Sequence, residues 1–374
     1  MREFIDGNEA VVLGALDAGC DFFAGYPITP ASSILVGMLR ELPLRRGVAV
    51  QAEDEIASIG MCIGAAMTGR KAMTATSGPG ISLYSENIGL ALMGETPLVI
   101  VNVQRQGPAT GSATKGADGD IQFMRWVTSG GLPMIVLSPE NAAECYTLTI
   151  RAFNLAERFR IPVFLASQKE VGLTRELVDL DVVRRSAPAV VPRTVAPVDC
   201  VYEPHACALL EEVGPMSPIG GPHLVRYTTS THDQRAYLAK DPVLIEEMLD
   251  HYRRKITDHL EEISHLDVDE QEGADTVIIT YGVTARAARD AVASQRAAGR
   301  KVSLVVLKTL FPVPEAELAA VLARHERVVV AEMNLGQYVQ ELRRLTEESK
   351  IVSVAKMNTE LISPTEILVR GGLS

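Results

Sequence analysis

Residues 97–103 read Pro-Leu-Val-Ile-Val-Asn-Val, an apolar run without the alternation that a strand with one wet face requires. Met134-Ile135-Val136-Leu137 and Val163-Phe164-Leu165-Ala166 repeat that character, with a helical stretch over 142–158 between them. Such strands must be covered on both faces, and strands alternating with helices give a mostly parallel sheet. The pattern reaches back to strands at 22–25 and 72–76, with helices over 8–18, from near Ser32, over 53–69 and from about Ser82. It recurs in a second unit, with strands at 276–281, 301–307, 327–331 and 351–354 and helices at 284–298, 315–323 and 337–348. Between the units, seven prolines from Pro188 to Pro222 mark a linker or extended arm lying over the surface. A charged helix over 242–266 follows, for which a solvated face is the plain reading. The predicted organisation is α/β throughout, divided into 1–185, 186–270 and 271–374.

Charge and cysteine usage narrow the function. The formal charge is 36 − 47 = −11, which opposes nucleic acid and anionic membranes as partners. No apolar run approaches the ~18–20 residues that span a bilayer. The start, Met1-Arg2-Glu3-Phe4-Ile5-Asp6, lacks a charged-then-apolar leader pattern, so the cytoplasm is the expected compartment. Cys20, Cys62, Cys145, Cys200 and Cys207 form no C-x-x-C pair, and iron–sulfur clusters and structural zinc need closely spaced thiolates. Reduced, mostly buried thiols and no metal site on this chain are expected.

All seven histidines lie at or beyond His205, so the first unit has none for a triad or a metal. His251, His259 and His265, on the charged helix and its end, read as part of a solvated face. No phosphate loop, no GxGxxG after a strand and no GxSxG elbow is present. Asp118-Gly119-Asp120 lacks both the preceding glycine and the downstream asparagine of a Mg²⁺-diphosphate signature and is set aside.

What remains is loop chemistry at strand ends, where open parallel sheets bind ligands. Three ends carry Tyr26-Pro27-Ile28-Thr29-Pro30, Thr76-Ser77-Gly78-Pro79-Gly80 and Gln104-Arg105-Gln106-Gly107-Pro108-Ala109-Thr110-Gly111. A helix start at Gln51-Ala52-Glu53-Asp54-Glu55 lies nearby. A hydroxyl, backbone N–H groups, a guanidinium and a carboxylate would converge there. Each has a plainer reading alone. A Pro-Gly loop is a turn, acids collect at helix N-termini for dipole reasons, and an arginine ending a buried strand takes a structural ion pair.

Taken together, these loops with Ser32, Ser33, Thr74-Ala75-Thr76 and Glu332-Met333-Asn334-Leu335-Gly336-Gln337 closely resemble the alpha subunit of 2-oxoacid:ferredoxin oxidoreductases. The likeness covers essentially the whole chain and is greatest to the 2-oxoglutarate branch. It implies a thiamine diphosphate pyrimidine-binding domain followed by a transketolase-C-terminal-like α/β domain. It further implies a separate beta subunit holding the diphosphate, its Mg²⁺ and a [4Fe-4S] cluster. The family's gamma domain is expected on another polypeptide or dispensed with, since residue 8 already begins the pyrimidine domain; gamma and delta subunits are further partners where the assembly has them.

The activity implied is oxidative decarboxylation of 2-oxoglutarate with CoA to succinyl-CoA and CO₂, electrons passing to ferredoxin, and none without beta. The alternatives are pyruvate or a branched-chain 2-oxoacid as substrate and, more remotely, a non-catalytic α/β scaffold. By register with the family helix, five residues before Gly60, Glu55 is the carboxyl that hydrogen-bonds the aminopyrimidine N1′; Glu53 and Asp54 compete for the role. Arg105 would clamp the substrate's C1 carboxylate, where a bidentate fork favours arginine. Thr29 would donate its hydroxyl to the same end. Pro27, Gly78 and Gly80 would lie against the cofactor, and Gly107 and Thr110 against the substrate.

Overall fold

A computed structural model describes residues 2–373. The first sheet has seven strands, in spatial order Val48–Gln51, Phe22–Gly25, Ala72–Thr76, Leu98–Gln104, Pro162–Gln168, Ile135–Leu137 and Thr309–Phe311. Every pairing among the first six is parallel. The central strand Leu98–Gln104 is buried at every residue and pairs with Pro162–Gln168 from Leu98 opposite Pro162 to Gln104 opposite Gln168. Its unbroken apolar run is therefore the signature of a strand with helices on both faces.

The seventh strand differs from the sequence-based expectation. Thr309–Phe311 comes from beyond residue 271 yet joins the first sheet, antiparallel to Ile135–Leu137. The second sheet has five strands, in the order Ile351–Ala355, Arg327–Glu332, Thr276–Tyr281, Val302–Leu307 and Leu266–Asp269, the last antiparallel. A two-stranded antiparallel ribbon of Arg2–Ile5 with Glu176–Asp179 completes the strands of the described residues. The helix expected over 337–348 contracts to Val339–Leu342, because the Glu332 carboxylate accepts from the backbone N–H of Tyr338 (2.8 Å) and Val339 (3.1 Å) and fixes the turn there.

The charged helix is not simply solvated. It spans Pro242–Thr257, and Met248, His251, Tyr252, Lys255 and Ile256 on it are buried. The reason lies far away in the chain. Glu95, 1% exposed, accepts from Lys255 Nζ at 2.8 Å and meets His251 Nε2 at 3.0 Å and His205 Nδ1 at 3.1 Å. Arg160 donates from Nε to the Glu95 carbonyl at 3.1 Å and from Nη1 to the carbonyls of Pro204 (3.2 Å) and Gly214 (3.3 Å). One carboxylate thus pins the Pro-rich segment and the helix after it to the first sheet's helical layer. That segment carries no helix or strand over 187–241 but is not only superficial, since Ala196, Met216, Ser217 and His232 are buried.

A buried charge whose partners are removed is strongly destabilising. Glu95→Ala should therefore cost roughly 3–5 kcal/mol in denaturant unfolding, since it leaves Lys255 and Arg160 uncompensated. Burial pulls the His251 pKa down, but contacts with Cys207 and Glu95 outweigh it and lift it from 6.5 to about 9. Its contribution to stability is then complete below about pH 6.5 and lost as pH rises through about 9. Unfolding midpoints measured across that window should fall for the native chain and change less for His251→Gln.

Candidate functional site

The helix Glu55–Met67 begins where Asp54 caps it, its side chain accepting from the Ala57 N–H at 2.7 Å. Asp54 is thereby occupied at the surface and Glu53 is exposed, whereas Glu55 turns inward and is 7% exposed. Next to it stands the turn that follows Ala72–Thr76. A Cβ added at Gly80 would lie 2.1 Å from Thr76 Oγ1 and 2.7 Å from Glu55 Oε1, so only glycine allows the two side chains and this turn to share the space. Behind them the Tyr84 hydroxyl is shared between Thr74 Oγ1 (2.8 Å) and Ser58 Oγ (3.2 Å).

Arg105 follows directly on the buried strand and is 4% exposed. The structural ion pair that would explain it is not what holds it. Among the described residues no carboxylate lies within ion-pair distance; its Nη1 donates to the Thr29 carbonyl and its Nη2 to the Thr110 carbonyl at 3.2 Å. Gly78, at φ +54°, lies under the guanidinium, and a Cβ there would stand 2.6 Å from Arg105 Nε. Burial lowers the Arg105 pKa, and the more distant charges of Asp120 and Glu55 partly oppose that.

Several polar atoms along this strand edge are buried without a partner: Thr76 Oγ1, Ser77 Oγ, Asn102 Oδ1, Gln104 Oε1 and Arg105 Nε. Native interiors satisfy most such atoms, so a concentration of them at the carboxyl ends of adjacent strands marks a place where a ligand completes the bonding. A thiamine-type cofactor fits this donor set: a buried carboxylate at a helix start, a glycine cradle beside it and unspent hydroxyls facing the same edge.

The sequence-predicted residues divide into two groups. Glu55 and Gly80 form one contact set, and Arg105, Gly78 and the carbonyls of Thr29 and Thr110 form another, the two joined through the 76–80 turn. Thr29 touches Arg105 by its carbonyl, and its exposed side chain has no recorded bond. Pro27 is exposed at the loop's start, and nothing lies within 4 Å of a Cβ built at Gly107. Asp120 and Asn102 were not foreseen. Asn102 Nδ2 donates to Asp120 Oδ2 at 3.0 Å, and burial raises the Asp120 pKa with the Arg105 charge opposing it. The polar Asn102 inside an apolar strand was the available signal.

Two other polar clusters lie away from this edge. Glu140, Glu144 and Asp267 approach one another, but Lys308 Nζ sits among them at 3.3, 2.6 and 3.5 Å. A cavity of about 400 Å³ lined by His205, His232 and His251 adjoins the Glu95 cluster, away from the strand edge. Cys20, Cys62 and Cys145 are buried, and burial pushes the Cys62 thiol up to about 12.

Comparison with known proteins places this geometry in a family. Residues 13–248 match the model of the pyruvate flavodoxin/ferredoxin oxidoreductase thiamine diphosphate-binding domain, and residues 274–367 match pyruvate:ferredoxin oxidoreductase core domain II. The chain is 40% identical to the 2-oxoglutarate synthase subunit KorA of Methanocaldococcus jannaschii over 371 residues, 98% of each protein. It is 32% identical to the ketoisovalerate oxidoreductase subunit VorB of Methanothermobacter thermautotrophicus, covering 98% of this chain and 96% of that one. Among solved structures, a 2-oxoglutarate:ferredoxin oxidoreductase from Magnetococcus marinus, with 2-oxoglutarate, coenzyme A and succinyl-CoA bound, superposes with a TM-score of 0.92 at 33% identity. The chain spans 99% of its own length in that superposition and 64% of the other chain. With the family models, the fold and near-complete alignments in agreement, the chain belongs to the thiamine diphosphate-binding 2-oxoacid:ferredoxin oxidoreductases, in the position of their alpha subunit.

Proposed function

We propose that this chain is the alpha subunit of a 2-oxoglutarate:ferredoxin oxidoreductase, converting 2-oxoglutarate and CoA to succinyl-CoA and CO₂ while two electrons pass to ferredoxin. The observation that carries this reading is Arg105, a buried guanidinium with no carboxylate within ion-pair distance among the described residues, joined through the 76–80 turn to a buried Glu55. A cation left so is a receptor for an anion. The 40% identity to a 2-oxoglutarate synthase subunit, against 32% to a ketoisovalerate oxidoreductase subunit, favours the dicarboxylate.

Thiamine diphosphate, when bound, supplies the nucleophilic carbon and the electron sink for decarboxylation. This chain's residues manage protons and charge around it. Glu55 holds a proton at the aminopyrimidine ring nitrogen, a task suited to a carboxyl out of water. Gly80 keeps that carboxyl and the Thr76 hydroxyl against the turn, and Gly78 and Pro27 border the same face. Arg105 binds the C1 carboxylate of the oxoacid, with the Thr29 and Thr110 loops fixing its direction and Gly107 leaving room beside it.

The complementary half of the pocket belongs to a beta subunit, which carries the diphosphate, its Mg²⁺ and a [4Fe-4S] cluster; gamma and delta chains join where the assembly has them. Residues 1–185 act as the pyrimidine domain, 186–270 as the arm and 271–374 as the transketolase-C-like domain, and the complex works in the cytoplasm. No helix of the described residues is long and apolar enough to cross a membrane.

Co-expression with a beta partner should create 2-oxoglutarate-dependent ferredoxin reduction that neither chain shows alone, with initial rates on pyruvate and ketoisovalerate lower. Higher rates on either would move the substrate assignment. Glu55→Gln should lower thiamine-dependent turnover by about 10²-fold or more at an unchanged melting temperature; retained turnover would clear Glu55 of the role. Arg105→Ala should raise KM for the oxoacid by about 10- to 100-fold, the worth of a hydrogen bond to a charged group. A fall in melting temperature with KM unchanged would instead make Arg105 structural.

A further inference from the structure

The stretch Glu332-Met333-Asn334-Leu335-Gly336-Gln337 lies in the second unit and takes no part in the chemistry above. It grips the return of the Arg105 loop. That loop closes on itself through Gln106 N–H to the Lys115 carbonyl (2.8 Å) and Ser112 N–H to the Gln106 carbonyl (3.0 Å). The chain then dives inward, and Asp118 is 1% exposed. The Asp118 N–H donates to the Met333 carbonyl at 2.8 Å, and Asn334 Nδ2 donates to the Asp118 carbonyl at 3.3 Å and to the Tyr281 hydroxyl at 2.7 Å. Gln337 Nε2 donates to the Gly119 carbonyl at 2.7 Å, and the Gln122 N–H donates to Gln337 Oε1 at 3.1 Å.

Asn334 is itself fixed, its Oδ1 accepting from the N–H groups of Gly336 (2.8 Å) and Gln337 (2.9 Å). On the opposite side Gln168, the last residue of a first-sheet strand, donates to Asp118 Oδ1 and accepts from the Val283 N–H.

We propose that Asn334 and Asp118 are positioning residues for the anion-binding loop: the second unit's strand-end turn holds the 116–122 segment, and through it the Arg105 guanidinium, in register with Glu55. The proposal rests on Arg105 being the substrate-carboxylate receptor. The chemistry of the knot fits a neutral side chain at 118. Asp118 Oδ2 has no partner, and burial, with the charges of Glu332 and Glu170, lifts the pKa to about 7 against the lowering contacts with Gln168 and Met333. The charged groups that face the knot are Glu332 and Glu170, whose Oε2 has no partner. Tyr281 donates to Glu332 at 2.9 Å, and Glu170 pairs with Lys169 at 3.5 Å. An amide at 118 keeps an acceptor for Gln168 and carries no charge.

The test uses the assembled complex. Asp118→Ala and Asn334→Ala should each raise KM for 2-oxoglutarate at least tenfold with a smaller fall in kcat, and Asp118→Asn should restore KM to within threefold of the native value. Amide hydrogen exchange over 107–115 should quicken in the two alanine variants and not in Asp118→Asn. If Asp118→Ala does not fold, Asn334→Ala and Gln337→Ala, which leave the buried carboxyl in place, give the same two readings. Lower melting temperatures with unchanged KM and unchanged exchange over 107–115 would overturn the proposal. So would Asp118→Asn behaving like Asp118→Ala. Should the native complex fail to turn over 2-oxoglutarate at all, the substrate reading falls, while the exchange measurement still decides whether the turn holds the loop.

Discussion

A guanidinium drawn out of water with no carboxylate within ion-pair distance is costly to keep charged. Arg105 bears that cost, and the surrounding structure is arranged to bear it with two carbonyls instead of a carboxylate. Those carbonyls sit on two different loops, one after Phe22–Gly25 and one after Leu98–Gln104, and so the loops must be held together. The covered parallel sheet does this from below, since its central strand is buried along its whole length. The 116–122 segment and the second unit's turn do it from the side. The unspent polar groups of the candidate site thereby lie at strand ends, above largely apolar packing.

Much of this was legible in the sequence because the signals are local. Unbroken apolar runs such as 97–103 and 163–166 find their strands, observed as Leu98–Gln104 and Pro162–Gln168, and the helix expected over 142–158 is observed as Ala142–Phe159. The departures have non-local causes. His251 and Lys255 look like members of a solvated helix until Glu95, more than 150 residues earlier, is seen beneath them. Thr309–Phe311 is too short to be read as a strand alone, and it becomes one only because Ile135–Leu137 offers it an edge.

The site divides in the same way. Glu55 stood out by resemblance, and its burial against exposed Glu53 and a capping Asp54 is what separates the three acids. Arg105 stood out by its place at the end of an apolar strand. Asp118-Gly119-Asp120 was weighed against a metal signature and set aside, yet both carboxyls are buried near the strand edge: one lies in the knot between the units, the other beside Asn102 and within electrostatic range of Arg105. No pattern in sequence announces such places, because the side-chain partners of the two carboxyls are Gln168 and Asn102, on neighbouring strands. Gly107, singled out as a point of close approach, meets open space on this chain.

The strand Thr309–Phe311 has a consequence for how such a polypeptide is cut and fused. A boundary drawn in the arm, where composition invites it, would strip the first sheet of its outermost member and leave Ile135–Leu137 with bare N–H and C=O groups. Bare edges recruit foreign strands and aggregate. The two units are stitched by main-chain hydrogen bonds, and a gene rearrangement that separated them would have to carry this three-residue selvage along with the front half.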